Sequence, residues 1–275
     1  MNTGLYSDNS KEAIIEAIFK NRQALHCLSR RFPGSEVHYD ENIGWCLTDL
    51  LDPFFNCVYH ANIPREKVHG IIKSILKKAR EKYINLWWLV CPWTRPPDIG
   101  EYLLGYGFQV NETTGMAIDL NTYDNFKDNH PDIEVNRVND EKTLELWCRI
   151  AVTGFEMPSE VKEDWCRWYS AIGLDKHAPI EHYLARFRGE PVATASLFYA
   201  EGVVGIYNVA TVPQYRRRGT GYTLMRNILH TAAKCGYQVA ILQSSNKGLP
   251  LYKKLGFQEY CKVISYFWIV GPPKR

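Results

Sequence analysis

The residue types and spacing best suited to chemistry lie in the run Val209-Ala-Thr-Val-Pro-Gln-Tyr-Arg-Arg-Arg-Gly-Thr-Gly-Tyr222. An apolar, β-branched stretch passes into a basic turn holding Gly219 and Gly221, and a helical pattern follows at once. Such a turn aims consecutive backbone N–H groups at an anion, with a helix N-terminus behind it. Unpaired amides and the helix dipole both favour phosphate there. Glycine keeps a side chain from standing between backbone and ligand. The run is a candidate diphosphate cradle.

The elements that must position it follow from periodicity. A strand near Ile133–Arg137 leads to a helix over Asp140–Val152, a break at Thr153–Pro158 and a second helix to about Ile172. Residues 181–188 and 191–199, joined through Gly189, read as a hairpin, and Val203–Thr211 as a third strand. After the helix that opens at the basic turn come a strand over Gln238–Gln243, a helix over Leu249–Leu255 and a strand over Cys261–Val270. At the other end of the chain, Ser10–Arg31 carries a broad apolar helical stripe.

The first half repeats this rhythm. Phe54–Pro64 reads as a strand, followed by a helix to Tyr83, a strand over Leu86–Trp93 and a short helix ending in Tyr106-Gly-Phe-Gln109. Pro64 and Pro213, Gly70 and Gly219, and Gly107 and Gly256 are each 149 residues apart. A tandem of two similar halves is expected, separated by the polar stretch 121–132, with two unrelated α/β domains of common strand–helix–strand rhythm as the alternative. Where the second half has Arg216-Arg-Arg-Gly-Thr-Gly221, the first has Lys67-Val-His-Gly-Ile-Ile72. A β-branched Ile72 in place of the second glycine would crowd a diphosphate. One working loop per chain is expected.

The pairing of Arg216-x-x-Gly219-x-Gly221 with Leu251-Tyr-Lys-Lys-Leu-Gly-Phe257, in strand–turn–helix–strand–helix order, resembles the GNAT superfamily of acyl-CoA N-acyltransferases over about residues 133–270. Neither a full GxGxxG nor a Gly-Lys-Ser/Thr is present to favour a Rossmann or P-loop site. The resemblance implies an α/β (α+β) fold of two GNAT-like domains, each a mixed, mostly antiparallel sheet flanked by helices. The expected division is a degenerate domain over 1–122, a linker over 123–132 and a catalytic domain over 133–275. It further implies acetyl-CoA as co-substrate. Amides from Arg217, Arg218, Gly219, Thr220, Gly221 and Tyr222 would hold its pyrophosphate. The backbone of Ala210, Thr211 and Val212 would pair with the pantetheine arm like an added strand. Tyr252 would protonate the departing thiolate, and Asn246 would touch the cofactor arm.

The residue that accepts the proton of the attacking amine does not declare itself. Glu156, Glu201, His182 and a water chain are the candidates. Trp165 and Trp168, at i and i+3, read as core, with an acceptor wall as the alternative. Composition restricts the rest. With 33 Lys+Arg against 30 Asp+Glu, the net charge of +3 is too weak to argue for nucleic acid, and no nucleic-acid partner is expected. No apolar run reaches the ~18 residues of a membrane span, and the N-terminus lacks the apolar block of a signal peptide. The eight cysteines form no CxxC pair and no metal-ligand spacing, so reduced thiols, a cytoplasmic setting and no metal are expected. The function expected is N-acetyl transfer to a primary amine on a small molecule or peptide, by direct attack in a ternary complex, with a monomer favoured and a dimer as the alternative. The alternative is a non-catalytic acyl-CoA sensor or interaction module.

Overall fold

The computed structural model describes residues 10–123 and 130–271, so positions 124–129 of the expected linker lie outside the described residues. The elements in chain order are α1 (Lys11–His26), β1 (Glu36–Tyr39), β2 (Ile43–Leu47), β3 (Cys57–Ala61), α2 (Val68–Lys82), β4 (Leu86–Val90), α3 (Ile99–Gly105) and β5 (Gln109–Asp119). They continue as β6 (Ile133–Arg137), α4 (Glu141–Gly154), α5 (Val161–Ile172), β7 (Ile180–Phe187), β8 (Glu190–Ala200) and β9 (Val203–Thr211). The last are α6 (Thr220–Lys234), β10 (Val239–Ser244), α7 (Leu249–Lys254) and β11 (Gln258–Trp268). The mixed α/β class and the mostly antiparallel pairing are as the sequence implies.

The chain forms two compact units. The C-terminal unit takes the described residues up to Arg22 together with Thr114–Cys261; the N-terminal unit takes Gln23–Thr113 and the described residues from Lys262 on. These bounds differ from a division at 122 and 133, because α1, β5 and β11 each begin in one unit and end in the other. The causes are local. Buried Asn21 on α1 donates to the carbonyl of Ala200 at 2.9 Å and accepts from the Tyr207 hydroxyl at 2.7 Å, which ties the helix to the C-terminal unit. At the other end of the chain, Ile264–Trp268 pair antiparallel with Leu86–Val90, and Tyr266 and Trp268 join the apolar core of the N-terminal unit.

In the C-terminal unit the strands run in the order β5-β10-β9-β8-β7-β6, and β9–β10 is the parallel pair. On α6, Leu224, Met225, Ile228, Leu229 and Ala232 recur at helical spacing, and all five are buried. They share a core with Tyr252, Leu255 and Phe257 at the end of the unit. Asp140 caps α4 by accepting from the Thr143 N–H at 2.7 Å. In the N-terminal unit the order is β1-β2-β3-β4-β11, with β3–β4 parallel. There α2 buries Val68, Ile72, Ile75, Leu76 and Ala79 on one stripe.

Candidate active site

A cavity of about 960 Å³ lies in the C-terminal unit, where β9 and β10 part. The two strands pair only over Val204–Ile206 and Ala240–Leu242. Beyond Ile206, the β10-facing backbone of β9 leaves the parallel ladder, and Val209, Ala210 and Thr211 line the cavity. A parted parallel pair offers unused N–H and C=O groups to an extended ligand.

The basic turn closes one side. Gly219 caps α6 at φ 83°, a left-handed conformation that glycine adopts without a Cβ penalty. The first helical bond of α6 runs from the Thr223 N–H to the Gly219 carbonyl at 2.9 Å. The amides of Thr220, Gly221 and Tyr222 therefore stand ahead of the first intrahelical carbonyl, as an anion site requires. Gly221 lines the cavity, and a Cβ built there would meet only Thr211 Oγ1 at 3.5 Å and Leu251 Cδ2 at 3.6 Å. Protein packing alone does not demand glycine at 221; the open cavity beside it does. Arg217, Lys247 and Lys254 add positive charge around the lining.

The three arginines separate by task. Arg216 is a strut: Nη2 donates to the Gly154 carbonyl at 2.8 Å, Nε donates to the Thr211 carbonyl at 3.0 Å, and Nη1 lies 3.5 Å from Glu156 Oε1. Arg217 takes φ 61° and lines the cavity. Arg218 lies over the rings of Tyr215 and Phe187, 5.1 and 5.8 Å from their centroids, off the lining.

Tyr252 closes the other side from α7, whose Pro250 suits a first helical turn. Its ring packs on Gly248, where an added Cβ would come within 2.8 Å of Cε2. Phe257 holds it edge-on at 5.9 Å between centroids. Burial pushes its phenol well above the usual tyrosine range, so the hydroxyl keeps its proton.

Of the expected binding residues, the structure brings Ala210, Thr211, Arg217, Gly219, Gly221, Tyr222 and Tyr252 onto one cavity. Four others lie off its lining. Val212 is buried and spends its N–H on the Val192 carbonyl at 2.9 Å. Thr220 turns its side chain into the protein, Arg218 stacks on rings, and Asn246 sits exposed on the turn before α7. Among the candidate bases, Glu156 lines the cavity. His182 does not. It is 1% exposed, bonded through Nδ1 to Ser196 Oγ at 2.8 Å, and its pKa is pushed down to about 3 by burial and then by the Arg137 charge. It is a neutral core histidine, which corrects that expectation. Glu201 is corrected as well: it sits in the β8–β9 turn, ten residues before Thr211, or about 33 Å along the strand. Trp165 and Trp168 are buried and off the lining, while Phe155, 6.1 Å from the Trp165 ring, is on it. Among the described residues no group of three or more His, Cys, Asp or Glu is placed to hold a metal ion, and no helix is long and apolar enough to cross a membrane.

The N-terminal unit treats the equivalent backbone differently. Ala61 and Ile63 stand 149 residues before Ala210 and Val212. The Ala61 carbonyl accepts from the Arg95 N–H at 3.0 Å, and the Ile63 N–H donates to the Arg95 carbonyl at 2.9 Å. Its own chain thus occupies the edge that the C-terminal unit leaves to the cavity. Gly70 lies inside α2 rather than at its cap, and Arg65 is bonded to Asp98 at 2.8 Å.

The profile of the Acetyltransferase (GNAT) family matches residues 143–257. An uncharacterised N-acetyltransferase of Methanocaldococcus jannaschii is 30% identical over 126 residues, covering 42% of this chain and 55% of that protein, so the match spans about half the length of the curated relative. A GCN5-related N-acetyltransferase from Kribbella flavida superposes with a TM-score of 0.67 at 19% identity, over 93% of this chain and 96% of that one. A tandem GNAT protein from the clavulanic acid biosynthesis pathway gives 0.56 at 14% identity, over 97% of each chain. The last two share the fold across nearly the whole chain, and residues 143–257 carry a domain of the acetyltransferase (GNAT) family.

Proposed function

We propose that the chain transfers an acetyl group from coenzyme A thioester to a primary amine, by direct attack in a ternary complex at the C-terminal cavity. One observation carries the proposal: the parted edge of β9, the N-terminus of α6 and the Tyr252 ring line a single cavity. The β9 edge would take the pantetheine arm, the amides behind Gly219 the pyrophosphate, and Arg217, Lys247 and Lys254 the remaining charge. The thioester supplies an activated acyl group. Backbone N–H groups of β9 would polarise its carbonyl, and Tyr252 would give its proton to the leaving thiolate. The burial that raises the phenol also disfavours a free thiolate, so the two stay matched as donor and acceptor. Glu156, on the lining beside Phe155, would attract a cationic amine and take its proton.

The acceptor is a small molecule or peptide amine, the working unit is the single chain, and the N-terminal unit carries no second cofactor site. The test is thiol release from acetyl-CoA across a panel of alkylamines, amino acids, amino sugars, polyamines and peptides. Free thiol with at least one amine supports transfer. Tight coenzyme A binding with no thiol from any amine would make the chain an acyl-CoA sensor instead.

A further inference from the structure

The strand that forms the cavity edge is not regular. Within β9, Tyr207 faces Ser196 but Ala210 faces Thr194, so Asn208 and Val209 together oppose Ala195. This is a β-bulge, with Asn208 at φ 54°. It falls just beyond Ile206, where β10 releases β9. One extra residue inverts the alternation of the strand, so it decides which backbone groups of Val209–Thr211 face β8 and which face the cavity.

The Asn208 side chain is tied down from two elements. Its Nδ2 donates to the Tyr169 hydroxyl on α5 at 2.7 Å and to Ser196 Oγ on β8 at 3.1 Å. The Asn208 backbone carbonyl accepts from Thr194 Oγ1 at 2.9 Å. The partners are rigid: Tyr169, Ser196 and Thr194 are each at most 1% exposed, and Tyr169 is packed against Trp147, Trp165 and Trp168 at 4.8–5.8 Å between ring centroids. Ser196 is fixed in turn by His182. Strand positions rarely carry asparagine, and a left-handed residue in a strand needs its surroundings to hold it there.

We propose that Asn208 is a positioning residue: anchored by Tyr169 and Ser196, it holds the bulge that presents the Val209–Thr211 backbone to the acyl-CoA arm. The inference rests on the acyl-CoA reading of the cavity. It gives the buried polar chain from His182 to Tyr169 a purpose that core packing does not require, since apolar groups would fill the same space without needing partners.

The test is calorimetric titration with coenzyme A, well below each protein's Tm, on wild type, Tyr169→Phe, Asn208→Gly and Asn208→Val. Valine resists φ above zero and favours a regular strand, so Asn208→Val should weaken binding by about tenfold or more. Glycine tolerates the bulge without anchoring it and should lose only a few-fold, as should Tyr169→Phe. The amide NMR signals of Val209–Thr211 should move in the same rank order. Variants that bind coenzyme A like wild type, with only Tm lowered, would reduce the network to a packing role and overturn the proposal. A wild type that binds no coenzyme A would overturn the acyl-CoA reading, and the positioning role with it.

Discussion

Arg216 Nη2 donates to the carbonyl of Gly154 at 2.8 Å, joining the basic turn to the end of α4. The same guanidinium reaches the Thr211 carbonyl at 3.0 Å, so one side chain holds three segments around the cavity. The Glu156 ion pair adds little, because both partners are substantially exposed. The two charge-assisted bonds to carbonyls add about 1–3 kcal/mol together after exposure is allowed for.

Arg216→Ala should therefore lower Tm by several degrees and weaken coenzyme A binding through disorder of the turn. Arg217→Ala should leave Tm unchanged and weaken binding about 3- to 10-fold, more at low salt than at high. Differential scanning calorimetry beside binding titrations separates the two. Equal Tm losses would contradict the division between strut and ligand contact.

His182 gives the fold an acid weakness with its own window. Its folded pKa, about 3, lies below the ordinary 6.5, so the unfolded chain takes up the proton first as pH falls. Stability is fully present above pH 6.5 and declines as pH falls from there toward 3, by a few kcal/mol at most. Carboxylates held low by partners, such as Glu36 and Asp140, act only below about pH 4.5. Tm measured from pH 7 to 5 should fall in wild type and stay nearly flat in His182→Gln. Parallel slopes would show that His182 is not the group responsible.

The site was legible in the sequence wherever backbone geometry follows directly from residue type. Gly219 announces a left-handed turn that glycine serves well, Gly221 leaves the cavity open, and Tyr252 rides on a helix ahead of Phe257; Gly219, Gly221 and Tyr252 all reach the cavity. Side-chain directions inside the turn were not legible. The left-handed φ of Arg217 sends Arg216, Arg217 and Arg218 to three different tasks, and no arginine-rich spelling reveals which. Asn208 left a faint signal, an asparagine amid Ile206, Tyr207 and Val209 where β-branched and aromatic residues belong. The unit bounds were not legible either. They depend on Asn21 meeting Tyr207, a contact 186 residues apart, and on the register of β11 beside β4.

The occupied edge at Ala61 and Ile63 makes the stoichiometry a direct prediction. Coenzyme A titrated into the whole chain should give one site, not two. Gly221→Ile, which copies the residue standing at Ile72 in the first half, should remove that site by crowding the cavity and leave no residual heat. Its fold should survive, because a Cβ at 221 meets its neighbours at ordinary contact distance. A site of undiminished affinity remaining in the variant would locate binding in the N-terminal unit.

Tyr252→Phe removes one hydroxyl from a ring already held by Gly248 and Phe257, so packing and coenzyme A affinity should stay within about twofold of wild type. Turnover with any accepted amine should fall about 100-fold or more, the usual worth of a positioned general acid. The pH dependence follows from burial. The folded pKa is raised, so the protonated, acid-competent form persists above the ordinary value of 10. No alkaline loss of kcat from Tyr252 should occur below pH 10, and its contribution to stability is present below pH 10 and lost as pH rises through the folded value. Turnover in Tyr252→Phe equal to wild type would move the proton to another donor. A kcat that fell between pH 8 and 9 in wild type but not in the variant would mean the phenol ionises where burial says it cannot.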